Sequence, residues 1–316
     1  MSSEEISSST VRRYYLSRYM KHTTFPLLLA AVLLAGACHT GKTPITTTDW
    51  EAADSTAYAY LSMHIALPDA DKGPAKQIRQ ELTKVMDGQL SCLSPGEQER
   101  CFPPYSGPSG DTDALLSYYK DQVLAQIGKL SQEDAEDRIK YMDENPDITP
   151  GQKAGLIAEI PKWSYDFTLK KVLETPQYAV FLSQNYIYMG GAHGGVTGAG
   201  YLTFDKRDGH RVDPVIDTAS TQAIQPLLVR GLLQYYKEAG VELTREQLLD
   251  QLFLSEDGII PLPSWTPHPT EEGLSFVYQQ YEIASYAEGM PSFILPYAEA
   301  APFLTPDARN VLGGKL

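Results

Sequence analysis

Apolar and polar positions alternate along two long stretches of this chain, and each alternation predicts a strand. From Tyr58 to Leu67, the side chains of Leu61, Met63, Ile65 and Leu67 fall on one face, and Tyr58, Tyr60, Ser62 and His64 on the other. A period of two is that of a half-buried strand. Trp163, Tyr165, Phe167 and Leu169 alternate with Ser164, Asp166, Thr168 and Lys170 in the same way. Tyr178–Tyr188 and Tyr201–Phe204 are aromatic and β-branched runs that suit a pleated surface. Asp208-Gly209 after them is a hairpin-turn signal, so Trp163–Asp213 reads as an antiparallel meander of three or four strands. Leu274–Tyr278 and Phe293–Leu295 are shorter strands near the end.

Between these runs the apolar spacing changes to three and four, which predicts amphipathic helices. Ile78, Leu82 and Val85 place one over Ala75–Met86. Leu116, Tyr119, Val123, Ile127 and Leu130 place another, capped by Asp111 or Thr112. Ser220–Tyr236 carries Ile224, Leu227, Leu228, Leu232 and Tyr235 on one face, with Pro226 expected in its first turn or forcing a later start. Thr244 and Gln247 form a capping box for a short helix to Leu252. The acidic, proline-containing Ser131–Gly151 lacks a stripe and reads as a connection or a short solvated helix. Strands and helices come in clusters, not as regular βαβ units. This predicts an α+β fold of antiparallel sheets packed with amphipathic helices, in two closely associated subdomains, with boundaries at residues 51–205 and 206–312.

The first 37 residues lie outside that pattern. Arg12, Arg13, Arg18 and Lys21 precede the apolar run Leu27–Leu34, which is too short to span a bilayer. Small residues then lead to Cys38. This is the layout of a secretory signal, and its end resembles a bacterial lipobox, with Ala35 where leucine is usual. The expectation is export, lipidation of Cys38, and a tether over residues 38–50 holding the protein in the cell envelope. His39 after the cysteine leans toward the outer membrane. Met20 is a plausible true start. Of three cysteines, Cys92 and Cys101 remain, nine apart, and an oxidising compartment predicts a disulfide between them.

Charge narrows the partners. The sequence has 26 basic and 40 acidic side chains; without residues 1–37 these become 22 and 38, a formal charge of −16. Such acidity disfavours nucleic acid, whose phosphates need Lys and Arg, and suits either a basic partner or simple solubility.

The remaining chemistry is concentrated around Gly190-Gly191-Ala192-His193-Gly194-Gly195. The spacing is neither that of a P-loop nor that of a dinucleotide fingerprint, and the following segment is a strand, which offers a phosphate no helix N-terminus. No cofactor is expected. His193 stands open as a corner residue bonded within the strand connection, as a recognition contact, or as a metal ligand or base. No GxSxG elbow or HExxH pair accompanies it, so no catalytic residue or metal set is assigned. The 20 tyrosines are distinctive; Tyr58, Tyr60, Tyr186, Tyr188, Tyr278 and Tyr281 lie on or beside predicted strands, where tyrosine serves equally as strand former and as binding surface.

The run Tyr188-Met189-Gly190-Gly191-Ala192-His193, continued by Tyr201-Leu202-Thr203-Phe204-Asp205, resembles the GGAH signature of a bacterial domain of unknown function. That domain occurs in the extracellular region of the lysozyme-recognising anti-sigma factor RsiV and in the non-catalytic N-terminal part of the peptidoglycan deacetylase PdaC. Gly273–Tyr278, Tyr281–Gly289 and Pro296-Tyr297 look like the companion C-terminal domain. The resemblance implies an extracytoplasmic, non-catalytic binding role, with lysozyme or a peptidoglycan fragment as partner and Tyr186, Tyr188, Gly190, Gly191, Ala192, His193, Tyr278 and Tyr281 as contacts. The signalling role is not expected to carry over, because no spanning apolar run is present. The alternatives are a polysaccharide-modifying enzyme using His193 and a purely structural envelope protein.

Overall fold

In the computed structural model, the residues described are 43–69, 72–93, 100–108, 110–190 and 195–315. The signal region, Cys38 and the stretch 191–194, with Gly191, Ala192 and His193, lie outside them. The fold is α+β.

Five strands form the main sheet in the order β1 (Thr47–Ser55), β2 (Ala59–Pro68), β3 (Trp163–Glu174), β4 (Tyr178–Tyr188) and β5 (Val196–Asp205). Three more, β6 (His268–Pro269), β7 (Gly273–Val277) and β8 (Ser292–Pro296), make a small antiparallel sheet. The meander β3–β4–β5 is antiparallel, as its turn chemistry predicts. The pairing of β2 with β3 is parallel, which the antiparallel expectation missed. Its cause is the long connection: α1 (Gly73–Leu90), α2 (Thr112–Glu144) and α3 (Pro150–Ala158) intervene, and a chain crossing over a sheet face re-enters in the same direction.

Two further corrections concern segments without a strong apolar stripe. Thr47–Ser55 is an edge strand, not the distal part of a tether, and the buried Ile45 already belongs to the core. Its backbone N–H donates to Glu174 Oε1 at 2.9 Å. Helix α2 does not stop at Leu130 but runs on to Glu144. Its second half buries little; instead Lys129–Glu133 and Asp134–Arg138 pair at i,i+4 spacing, which supports an exposed helix. Ser131 anchors it, its hydroxyl donating to Tyr58 O at 2.8 Å and accepting from Trp163 N at 3.3 Å. Asp111 caps this helix by accepting from Ala114 N.

Helices α4 (Thr221–Glu238), α5 (Arg245–Gln251), α6 (Tyr297–Ala300) and α7 (Pro306–Leu312) belong to the C-terminal half. Pro226 lies inside α4 and not in its first turn, which leaves Gln222 O without its i−4 donor. Cys92 and Cys101 are bonded.

The five-stranded sheet separates two cores. On one face Leu61, Met63, Ile65, Tyr165, Phe167, Leu169, Phe181, Leu202 and Phe204 pack against Ile78, Leu82 and Met86 of α1 and Leu116, Tyr119, Val123 and Ile127 of α2. On the other, Tyr178 and Val180 join α4, the small sheet and α7. Strand β4 therefore buries four consecutive residues, Tyr178–Phe181, by turning them alternately into both cores. Beyond Leu182 the second core ends, and the face that carries Tyr186 and Tyr188 is no longer covered by it.

Candidate binding face

That uncovered part of the sheet is the candidate site. Cross-strand register sets side chains of one face side by side. One row runs Ala53, Ser62, Asp166, Tyr186, Thr197; the next runs Ser55, Tyr60, Ser164, Tyr188. A shallow groove of about 380 Å³ follows β1–β3 here, lined by Asp54, Tyr60, Ser62, Ser164 and Asp166. Tyr60 is 52% exposed and carries Lys162 Nζ over its ring at 5.1 Å. Asp166 stays open to solvent at its tip, yet the walls around it push its carboxyl above the usual aspartate range, because partial burial disfavours the charge.

The C-terminal half completes the face. Tyr286 Oη donates to Gly195 O at 2.8 Å, and the rings of Tyr281 and Tyr286 lie 5.8 Å apart. Tyr186 packs so closely over Gly195 that a Cβ there would sit 2.2 Å from its ring; only glycine lets the strand end pass beneath the tyrosine. Burial, followed by the proximity of Tyr286 and Asp166, raises the Tyr186 pKa. Tyr281 is 54% exposed and holds a left-handed backbone, φ +64°. A bulky residue keeps that conformation only where its surroundings impose it. Here they do: Gln280 Oε1 accepts from Thr197 N at 2.7 Å, Gln279 pairs both ways with Ala199 at 2.8 and 2.9 Å, and Glu282 accepts from Gln279 N and Ser264 N.

Gly190, with φ +77°, borders a second groove. It lies against Pro161 and Arg138, which with Tyr141, Leu156 and Ile160 line about 500 Å³ between α2 and α3. The structure thus brings Tyr186, Tyr188, Gly190 and Tyr281 to one end of the sheet. It removes Tyr278 from the set of surface contacts: that ring is fully buried and its hydroxyl donates to Pro261 O at 2.8 Å. Asp166, Lys162 and Tyr286 belong to the face and were not singled out from sequence; Tyr60 was weighed as a strand tyrosine and belongs to it too. Tyr60 alternates visibly, but only the β2–β3 pairing puts it beside Ser164 and Tyr188.

Among the described residues one other cluster has metal-ligand chemistry, Asp205, Asp208 and His210. Arg207 takes both oxygens of Asp205, through its backbone N and its Nε at 2.6 Å each, and His210 bridges Asp208 at 2.7 Å and Asp307 at 2.9 Å. It reads as an ion-pair knot tying the β5 turn to α7.

The comparisons with known proteins agree with this architecture. A family described as "protein of unknown function (DUF3298)" matches residues 238–298. That span takes in the Gly273–Tyr297 run and with it Tyr281 and Tyr286; it does not reach Tyr188–Asp205. A solved structure of a DUF3298 family member from Bacteroides fragilis superposes with a TM-score of 0.58 at 16% identity, covering 87% of this chain and 98% of its own. A DUF3298 family protein from Pseudomonas aeruginosa gives 0.53 at 14% identity, covering 84% and 97%. At such identities the likeness is one of fold. No curated protein matches the sequence.

Proposed function

We propose that this chain is an exported, lipid-anchored envelope protein whose folded part binds a basic, lysozyme-like protein without catalysing a reaction. The observation that carries this is the partly open sheet face beyond the second core. It gathers Tyr60, Tyr186, Tyr188 and Tyr281 beside the acidic Asp166, with Asp49 and Glu51 two strands away. Tyrosine offers contact area with a polar tip and is favoured at binding hot spots. An acidic surface speeds encounter with a cationic partner. The resemblance of the GGAH stretch to the extracellular region of RsiV supports the same reading. A cell-wall glycan is the second reading. Its support is the shallow groove where Tyr60 stands beside Ser62, Ser164 and Asp166, a pairing of aromatic ring with hydroxyl and carboxyl groups that suits a sugar.

Titration calorimetry with lysozyme, and separately with soluble muropeptides, tests both. Loss of affinity by about 30-fold on Tyr281→Ala or Tyr188→Ala, the scale of a hot-spot tyrosine, supports the face. Absence of binding to either ligand at high micromolar concentration, or binding indifferent to both substitutions, overturns the proposal.

A further inference from the structure

The two edges of the five-stranded sheet are treated differently. The β5 edge is closed: Gln280 and Gln279 side chains satisfy Thr197 and Ala199, and the returning chain bonds Thr203 O through Val212 N at 2.8 Å and Asp205 N through His210 O at 3.0 Å. The β1 edge has no such cover among the described residues. It is nine residues long, about 30 Å of strand. The bonds that flank it, Thr56 N to Ala59 O and Asp69 N to Thr46 O, fix which residues face β2. With the register of Trp50 opposite Ile65, even-numbered residues bond to β2, because bonded pairs alternate along an antiparallel ladder. Thr47, Asp49, Glu51, Ala53 and Ser55 therefore turn their N–H and C=O groups outward. Only Ser55 N has a local acceptor, Asp54 Oδ1 at 2.8 Å.

Exposed edges invite strand addition. The side chains select the visitor. Asp49 and Glu51 share the face of β1 that continues into the open sheet and are 69% and 76% exposed, with His64 Nε2 at 3.5 and 3.9 Å. A second copy pairing antiparallel through the middle of this edge would set Glu51 against Glu51, or Asp49 against Glu51, and like charges directly opposite are destabilising. A strand with Lys or Arg at alternate positions would set cations opposite both acids.

We propose that the β1 edge accepts an extended basic segment of another protein as a sixth strand, main-chain bonds supplying affinity and Asp49 and Glu51 selecting basic residues two apart. This shares Asp49 and Glu51 with the proposed binding face but engages the backbone amides of β1, which Ala53→Pro tests apart from Tyr188→Ala and Tyr281→Ala.

The test uses the full processed chain in detergent and a synthetic peptide of roughly strand length alternating Lys with Val and Thr. Two variants separate backbone from charge. Ala53→Pro removes an outward N–H without touching the β2 ladder, since edge strands tolerate proline there. Glu51→Lys reverses the charge. The expected result is slowed amide exchange over residues 47–55 on adding the peptide, about tenfold weaker binding in each variant, unchanged melting temperature, and no binding of the Glu-for-Lys peptide. Equal binding by Ala53→Pro, protection confined to other strands, no binding at millimolar peptide, or self-association through residues 47–55 each overturns it.

Discussion

Two histidines of the same type are set to opposite pH behaviour by their surroundings. His268 is buried and stacked on Tyr201 at 3.6 Å, and burial pushes its pKa down to about 4. An unfolded histidine titrates near 6.5. Between those values the unfolded chain binds more protons, so stability is full above pH 6.5 and is lost as pH falls toward 4, by on the order of 3 kcal/mol. His210 is the reverse case. Burial alone would lower its pKa, but the carboxylates of Asp208 and Asp307 outweigh it and raise the value. Its stabilisation is complete below pH 6.5 and fades as pH rises through the raised pKa. Melting temperatures across pH 4–8 check both: His268→Phe flattens the acid loss, whereas His210→Gln lowers stability mainly at the acid end. Neither role was legible in the sequence, where His210 is a lone residue after the Asp-Gly turn and His268 one in a proline-rich stretch. Tyr186 was legible as a strand tyrosine, but its tight seat over Gly195 was not, because the glycine lies across a connection from it.

The behaviour of the elements follows from what each buries. β2 and β3 were legible because half of each faces one core, and a period of two survives in the sequence; β4, buried on both faces at its start, was legible from its aromatic and β-branched residues. β1 was not: its burial is slight, so its pattern resembles a polar linker. The second half of α2 escaped for the same reason, being held by ion pairs and by Ser131 and not by an apolar stripe. The start of the fold depends on one buried group of charges. Lys206 is nearly inaccessible, and its Nζ donates to Glu174 Oε1 at 2.5 Å and Thr175 O at 3.1 Å, while Glu174 also accepts from Ile45 N and Lys171. Burial raises the Glu174 pKa, but the hydrogen bonds from Lys171 and Lys206 outweigh it and hold the carboxyl below its ordinary range. Lys206→Met is expected to cost roughly 2 kcal/mol, the scale of a hydrogen bond to a charged group, because Glu174 keeps Lys171 and Ile45 N while it and Thr175 O lose the buried donor. Urea unfolding measures it, and faster proteolysis just before β1 would accompany the loss.

At the scale of the whole molecule, the prediction concerns its attachment. No helix among the described residues is long and apolar enough to cross a membrane. We propose that Cys38 carries a lipid, so Cys38→Ala should abolish incorporation of labelled palmitate and move the protein from the membrane fraction to the soluble one. Retention at the membrane without label would sink the lipid anchor.

From sequence alone, the elements with one-sided burial, the α+β class and the Cys92–Cys101 pairing could be read, because periodicity and spacing are local properties. The parallel return of β3 beside β2, the point along β4 where the second core stops, and the bare β1 edge were decided only by the tertiary structure. Each depends on which distant segments lie side by side, and residues such as Asp166 and Tyr186, or Gly195 and Tyr286, carry no mark in the sequence of the neighbour they will meet.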